Sequence, residues 1–347
     1  MKIALCILSR NEGILHIRSA LQTLGHEVCM LSLNSFETSC SYIEKKCDEL
    51  GLHRMRRQFD ESRFATYIET ISAWHPERLL FVNLPDTVFS YEEMCRIREA
   101  AHAISCSLCV WMIDVCERRE ALLDFCRLFD TVASYERTDA AWISSHGIPA
   151  RFVPVGYTDA YGRQGGLQEK EQDIVDILFI GTPYRSRLRL LEDLAKGIQK
   201  QLVGVRLRVI GPFWERRYPW KKFLFRFRYR MLYPCVENRM VSPEEAAKCY
   251  AMSRICVNLH RVDARGCNPR TYEILAAGGF ELVDKRDDYD ILVPNQDLVA
   301  FENVTTMIEK IRYYLDHESE RLAIAKNGQS KVREARSMPE MLRMVLR

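Results

Sequence analysis

The sequence predicts an α/β protein built as two doubly wound, Rossmann-like lobes facing a cleft. Three observations carry that expectation. Short apolar runs of strand type alternate with amphipathic helical stretches along the chain, the grammar of parallel sheets covered by helices. The alternation breaks once, over residues 157–173, where YTDAYGRQGGLQEKEQD is polar, glycine-bearing and without period. The chain has 347 residues, enough for two domains at roughly 150 residues each. The expected division is a first lobe over 1–156, a linker over 157–173 and a second lobe over 174–347, with the last helix a candidate to pack back on the first lobe.

The elements follow in order. KIALCIL opens as a strand, then a helix runs from Gly13 to Leu24, and HEVCML follows Gly25 as the second strand. Helical stretches over Ser41 to Leu50 and Glu61 to Trp74 lead to the strand RLLFVN, and a helix over Tyr91 to Ala103 leads to LCVWMI. A short helix near Arg118 to Arg127, the strand TVASYE, a helix over Thr138 to Ser145 and the strand ARFVPV complete the first lobe. The second lobe reads as strand VDILFI, helix Arg185 to Ile198, strand RLRVIG, an irregular insert, strand RMV, helix Pro243 to Met252 and strand RICVNL. A helix over Arg270 to Ala277, strands FELVD and DLVAF, and helices over Val304 to Leu315 and Ser319 to Arg333 close it.

Composition narrows the function classes. With 47% apolar and 28% charged residues the chain is neither disordered nor fibrous. The net charge of +3 gives no global mandate for nucleic acid or membrane, so any such partner has to rest on a local patch. No apolar run approaches the roughly 18 residues of a membrane span, and the opening apolar stretch stops at Leu8 before Ser9 and Arg10, as a first strand does. The 13 cysteines are odd in number and scattered through apolar segments, which suits core packing in a reducing cytosol. Cys106 and Cys109 form a C-x-x-C, yet no second pair accompanies them, so they too read as core.

Open parallel sheets bind ligands beyond the carboxyl ends of their strands, so the strand-to-helix turns are the places to search. In VDILFIGTPYRSRLRLL, Gly181 and Thr182 end a strand and a helix follows. Glycine lets a phosphate approach the main chain, the helix start favours an anion, and Arg185 and Arg187 could clamp a diphosphate. An ordinary tight turn with solvated arginines would look the same. In VNLHRVDARGCNPRTYEILAAGGFELVD, the strand ends at His260, a glycine-bearing loop follows, Pro269 can start a helix, and Arg270 and Glu273 share one face of it. The carboxylate could accept ribose hydroxyls and the arginine could neutralise a leaving diphosphate; an intrahelical ion pair would have the same spacing. In the first lobe, His16, Asp114 and Glu136 stand near strand ends as candidate catalytic groups on the acceptor side, although Asp114 and Glu136 could equally cap helices.

The insert ERRYPWKKFLFRFRYRMLYP carries seven basic residues among aromatic ones. As a helix it gathers Trp220, Phe223 and Phe227 on one face, with Arg226 and Arg228 beside them; as a strand it alternates aromatic and basic residues. It is a candidate surface for anionic lipid or for a phosphate-bearing acceptor, or an amphipathic element packed on its own lobe. Nucleic acid is not expected, because no binding module is evident. The DKRDDYD stretch matches no calcium loop, so no metal site is expected.

NPRTYEILAAGGFELV, DILFIGTPYRSRLRLL, VSPEEAAKCYAMSRICVNLH and ENVTTMIEKIRYYLDHESERLAIAKNGQSKV together resemble the carboxyl half of CgeB-like glycosyltransferases, relatives of the family 4 group. GILHIRSALQTLGHEV, VWMIDV and VASYERTDAAWISSHGIPARFVPVG look like the matching amino lobe. The resemblance implies a GT-B fold and a hexosyltransferase-like enzyme. Such an enzyme would move a sugar from a nucleotide sugar, bound mainly by the second lobe, to a glycan, lipid-linked or protein acceptor. It implies no cofactor beyond the donor substrate and no catalytic metal. Gly181, Thr182, Arg185, Arg187, His260, Arg270 and Glu273 would line the donor site. Glu273 would correspond to the second Glu of the E-x7-E motif, which holds the donor ribose, while Arg265 stands where the first would be. A nucleotide-sugar epimerase of the same fold, and a non-catalytic nucleotide-sugar-binding or membrane-associated scaffold, are the alternative readings. The expected location is cytoplasmic, peripheral at the inner face of the membrane if the insert binds lipid.

Overall fold

Among the described residues, two six-stranded parallel sheets organise the chain. The computed structural model describes residues 1–7, 12–32, 53–86, 89–114, 116, 118, 120–162, 175–215 and 217–347. These divide into one unit of Met1–Val155 with Met338–Arg347 and a second of Gly156–Ser337.

The first unit's strands are β1 (Lys2–Ile7), β2 (Glu27–Ser32), β3 (Arg78–Val82), β4 (Ser107–Met112), β5 (Thr131–Ser134) and β6 (Ala150–Phe152), in the order β2-β1-β3-β4-β5-β6. Successive side chains of a strand point to opposite faces. Leu79, Phe81, Leu108 and Val110 therefore enter one core with Ile71, Ile97 and Leu123. Leu80, Val82, Cys109 and Trp111 enter another with Leu21 and with Met341, Leu342 and Val345 of the Met338–Leu346 helix. Burial on both faces is why these strands read as continuous apolar runs. The Trp111 indole N–H, wholly inside, donates to the Val153 carbonyl at 3.0 Å.

The second unit's strands are β7 (Val175–Ile180), β8 (Leu207–Gly211), β9 (Val236–Asn238), β10 (Ser253–Asn258), β11 (Glu281–Asp284) and β12 (Val299–Phe301), in the order β12-β11-β10-β7-β8-β9. The chain moves outward from β7 through β8 to β9, then returns to lie on the other side of β7 as β10. The turns after β7 and β10 therefore leave in opposite directions, and a crevice opens between them at the strands' carboxyl ends. In the first unit the same reversal falls between β1 and β3.

Local chemistry sets the helix boundaries. Ser242 accepts from the Glu245 N–H with Pro243 behind it, and Asn268 accepts from the Thr271 N–H with Pro269 behind it, so the Pro243–Ala251 and Pro269–Ala277 helices start with satisfied donors. Gly278 ends the latter at φ 89°, a left-handed conformation that favours glycine.

Several expectations are corrected. The strand expected at RMV lies earlier, at Val236–Asn238, because those residues pair with β8 while Arg239 turns back to Glu237 and Glu245. The insert is helical over Pro219–Arg228, with Pro219 in its first turn and Phe225 buried. The stretch read as linker begins inside the second unit: Asp159–Gly162 is a helical turn, and Tyr157, Ala160 and Tyr161 join that unit's core. The helix expected over 41–50 and residues 163–174 lie outside the described residues.

Candidate functional site

The turn after β7 and the helix after β10 meet. Gly181 follows Ile180, and its N–H donates to the Ile210 carbonyl at 2.9 Å. A Cβ at this position would stand 2.7 Å from Nη1 of Arg270 and 2.9 Å from Cζ of Phe179, so close approach itself demands glycine. The Arg185–Gln201 helix begins just beyond, and its N-cap Tyr184 supplies no side-chain acceptor to the first turn.

Arg187 is buried in this turn. Its Nε donates to the Leu259 carbonyl at 2.8 Å and its Nη1 to the Thr182 carbonyl at 3.2 Å, which ties the β7 turn to the end of β10. The guanidinium lies 4.9 Å from the Tyr184 ring centre. Burial, and next the nearby Arg270 charge, lower its pKa to about 10. Among the described residues it forms no ion pair with a carboxylate.

Arg270 is half-buried and donates from Nε to the Tyr250 hydroxyl at 3.1 Å. Tyr250 stacks on Tyr161 at 6.2 Å between ring centres, and the Tyr161 hydroxyl in turn bonds to Glu273. Burial works against the Arg270 charge, but Tyr250, Glu273 and Tyr161 outweigh it and hold its pKa above the ordinary guanidinium value. Arg270 and Glu273 lie on one helix face, as their spacing predicts, and the tyrosines brace both. Arg185 and Thr182 are exposed beside them.

His260 is placed differently from expectation. Its side chain is 0% exposed, and both ring nitrogens are engaged inside the protein. Nδ1 bonds to Asp284 at 2.8 Å, while Nε2 accepts from the Asn268 N–H at 2.9 Å. An imidazole that accepts at Nε2 is neutral, in keeping with a pKa lowered chiefly by burial. Asp284 also accepts from Arg286, which donates to the Ala264 carbonyl at 2.6 Å. His260 thus holds the loop 261–267 and the start of the Pro269–Ala277 helix rather than presenting itself to a ligand. Beneath that helix Asn258 donates to Glu281 at 2.7 Å, and the Thr271 hydroxyl donates to the same oxygen at 2.9 Å.

The first unit's candidates follow three strands, His16 after β1, Asp114 after β4 and Glu136 after its neighbour β5. His16 lies half-buried on the Glu12–Thr23 helix, and Asp114 is exposed just beyond β4. Glu136 is buried at the start of the Arg137–Ser145 helix, where its side chain does not cap. Trp220, Phe223, Phe227, Arg226 and Arg228 of the insert are all exposed on the Pro219–Arg228 helix. Among the described residues no three His, Cys, Asp or Glu side chains group as a metal site would, and no helix is long and apolar enough to cross a membrane.

Tyr161 and Tyr250 are not among the sequence candidates, and Asp284 and Arg286 enter there only within the DKRDDYD stretch, read as no metal site. The four-residue spacing of Tyr157 and Tyr161 inside the presumed linker was the available signal for one of them.

Residues 185–344 match the model of a family described as glycosyl transferase-like. No curated protein matches the sequence. Among solved structures, the chain is similar to Anabaena HepE in complex with UDP, with a TM-score of 0.68 at 11% identity, covering 100% of this chain and 98% of that one. It is also similar to a glycosyltransferase from Rickettsia africae, with a TM-score of 0.69 at 12% identity over 99% and 96% of the two chains. Sucrose-phosphate synthase from Thermosynechococcus elongatus gives a TM-score of 0.63 at 13% identity over 99% and 97%. The fold is that of the GT-B glycosyltransferases, and the family match supports a glycosyltransferase.

Proposed function

We propose that the protein is a glycosyltransferase whose second unit binds a nucleoside-diphosphate sugar at the carboxyl ends of β7 and β10. One observation carries this reading: Arg187 and Arg270 are gathered beside Gly181, at the sheet's reversal point, and the buried Arg187 feels the Arg270 cation more strongly than any carboxylate. A diphosphate would remove the repulsion between them and accept their remaining N–H donors. The uncapped start of the Arg185–Gln201 helix adds a favourable dipole, and exposed Arg185 adds a third cation.

The anomeric carbon–oxygen bond breaks as the acceptor oxygen bonds to that carbon. The electron pair leaves with the nucleoside diphosphate, where Arg187 and Arg270 stabilise the developing charge. The acceptor hydroxyl loses its proton to a base, for which His16 and Asp114 are the candidates; the buried Glu136 is the weaker one. Glu273 accepts the ribose hydroxyls. We read the sugar as a hexose, the chemistry as needing no metal because guanidinium groups meet the diphosphate charge, and the subtype as CgeB-like.

Thermal unfolding with UDP, UDP-glucose and GDP-, TDP- and CMP-sugars tests the reading. UDP-glucose heads the panel because HepE was also solved in complex with it. At about 100 times Kd a ligand stabilises by about 2.7 kcal/mol, a readily measured rise in melting temperature. No rise with any nucleotide sugar would reject the proposal. Conversion of the free donor without an acceptor would instead indicate an epimerase.

A further inference from the structure

The Pro219–Arg228 helix presents its apolar side to water. At about 100° per residue, Trp220, Phe223, Leu224 and Phe227 form one stripe, and Phe225 points roughly the opposite way. Phe225 is the residue that is buried, against Phe213, Trp214 and Tyr229. The stripe is open, with Trp220 58%, Phe223 69%, Leu224 53% and Phe227 64% exposed. An ordinary surface helix does the reverse.

Cations border the stripe on both sides. Arg226 flanks one edge and Arg228 the other, with Arg230 just beyond, and all three are exposed. Lys221 is half-buried and held by Glu215 at 2.6 Å. Residues 217–230 include six basic side chains and no acidic one. A partner must therefore offer apolar depth together with negative charge.

We propose that this helix is a docking surface for an anionic lipid bilayer. Trp220, Phe223, Leu224 and Phe227 enter the headgroup–acyl boundary while Arg226, Arg228 and Arg230 meet lipid phosphates. The observations favour lipid over single-stranded nucleic acid. Bases need open ring faces for stacking, whereas the Arg230 guanidinium already lies over Phe227 at 5.2 Å and the Lys221 ammonium over Trp220 at 5.7 Å. The aliphatic Leu224 in mid-stripe suits an acyl chain and offers a base nothing. Phe223, Arg226, Phe227, Arg230, Tyr233 and Pro234 also surround an open hollow of about 510 Å³ beside the stripe, where a headgroup fits. The proposal does not depend on the function assigned to the β7 and β10 strand ends.

Sedimentation of the full chain with vesicles tests it. The protein should pellet with vesicles of 30% phosphatidylglycerol in phosphatidylcholine, pellet less as salt rises, and stay in solution with pure phosphatidylcholine. Phe223→Ala with Phe227→Ala should lower partitioning about tenfold or more, and Arg226→Gln or Arg228→Gln about fivefold each. These variants should melt as the wild type does without lipid, since every altered side chain is exposed. Tryptophan emission should shift to the blue on anionic vesicles, and Trp220→Phe should abolish that shift. Four results would overturn the proposal: no pelleting with anionic vesicles, pelleting indifferent to the paired Phe substitutions, a patch-dependent dimer in place of lipid binding, or an oligo(dT) strand that binds the patch while vesicles do not.

Discussion

Replacing Arg270 with alanine probes the site most directly. The Nε–H is already donated to Tyr250, which leaves the two terminal nitrogens for phosphate oxygens. A hydrogen bond to a charged group contributes about 1.5–3 kcal/mol. Loss of the fork also removes the repulsion with Arg187 that a bound diphosphate would relieve, and this adds to the loss. The net loss should therefore lie toward the upper end, about 2–3 kcal/mol, or about 30- to 150-fold in Kd for UDP. Isothermal titration with UDP and with inorganic pyrophosphate measures both. The two affinities should fall together, because the contact is to the diphosphate. Arg270→Lys should recover part of the loss, since the charge returns without the fork. An unchanged UDP affinity in a folded Arg270→Ala protein would refute the assignment of this helix to the donor site.

Glu273→Gln should weaken UDP about tenfold yet leave pyrophosphate binding unaltered, as a ribose contact would; equal losses for both ligands would argue against that role. In Gly181→Ala the new methyl group displaces the Arg270 fork and presses on the fully buried Phe179, so we expect about 1–2 kcal/mol of lost stability and several-fold weaker UDP binding, read by denaturant unfolding and titration. Burial raises the Glu281 carboxyl to about 7, above its unfolded value, so the native state favours the protonated form and loses stability as pH rises from about 4.5 through 7. Glu281→Gln removes that cost: its melting temperature should exceed the wild type's at pH 8, by the equivalent of about 3 kcal/mol at most, with the gap closing toward pH 4.5. His260 has the opposite sign. Its native pKa is lowered, so its contribution is present above about pH 6.5 and lost on acidification, and His260→Gln should flatten that acid limb of the stability curve.

Much of the fold was legible because parallel strands covered on both faces must be continuously apolar, and such runs stand out between amphipathic helices. The Gly181 turn and the Arg270 and Glu273 pair were visible for a related reason, since each depends on neighbours only a few residues away. The insert was ambiguous because its residues satisfy helical and strand periods alike; the burial of Phe225 decides it. His260 looked like a ligand contact because a histidine at a strand end carries no local sign of where its ring turns. Its partners, Asp284 on β11 and Asn268 across the loop, fix it inward.

The sequence by itself determined where strands and helices form and which turns carry glycine, arginine and carboxylate, since these follow from local periodicity and side-chain chemistry. Tertiary structure alone decided that β7 and β10 are neighbours, that Arg187 is buried against the end of β10, that Tyr161 braces Glu273, and that the 338–347 segment joins the first unit. The physical reason is that strand order and the facing of a side chain depend on pairing and burial between residues far apart in the chain, and the local pattern is the same for many such arrangements.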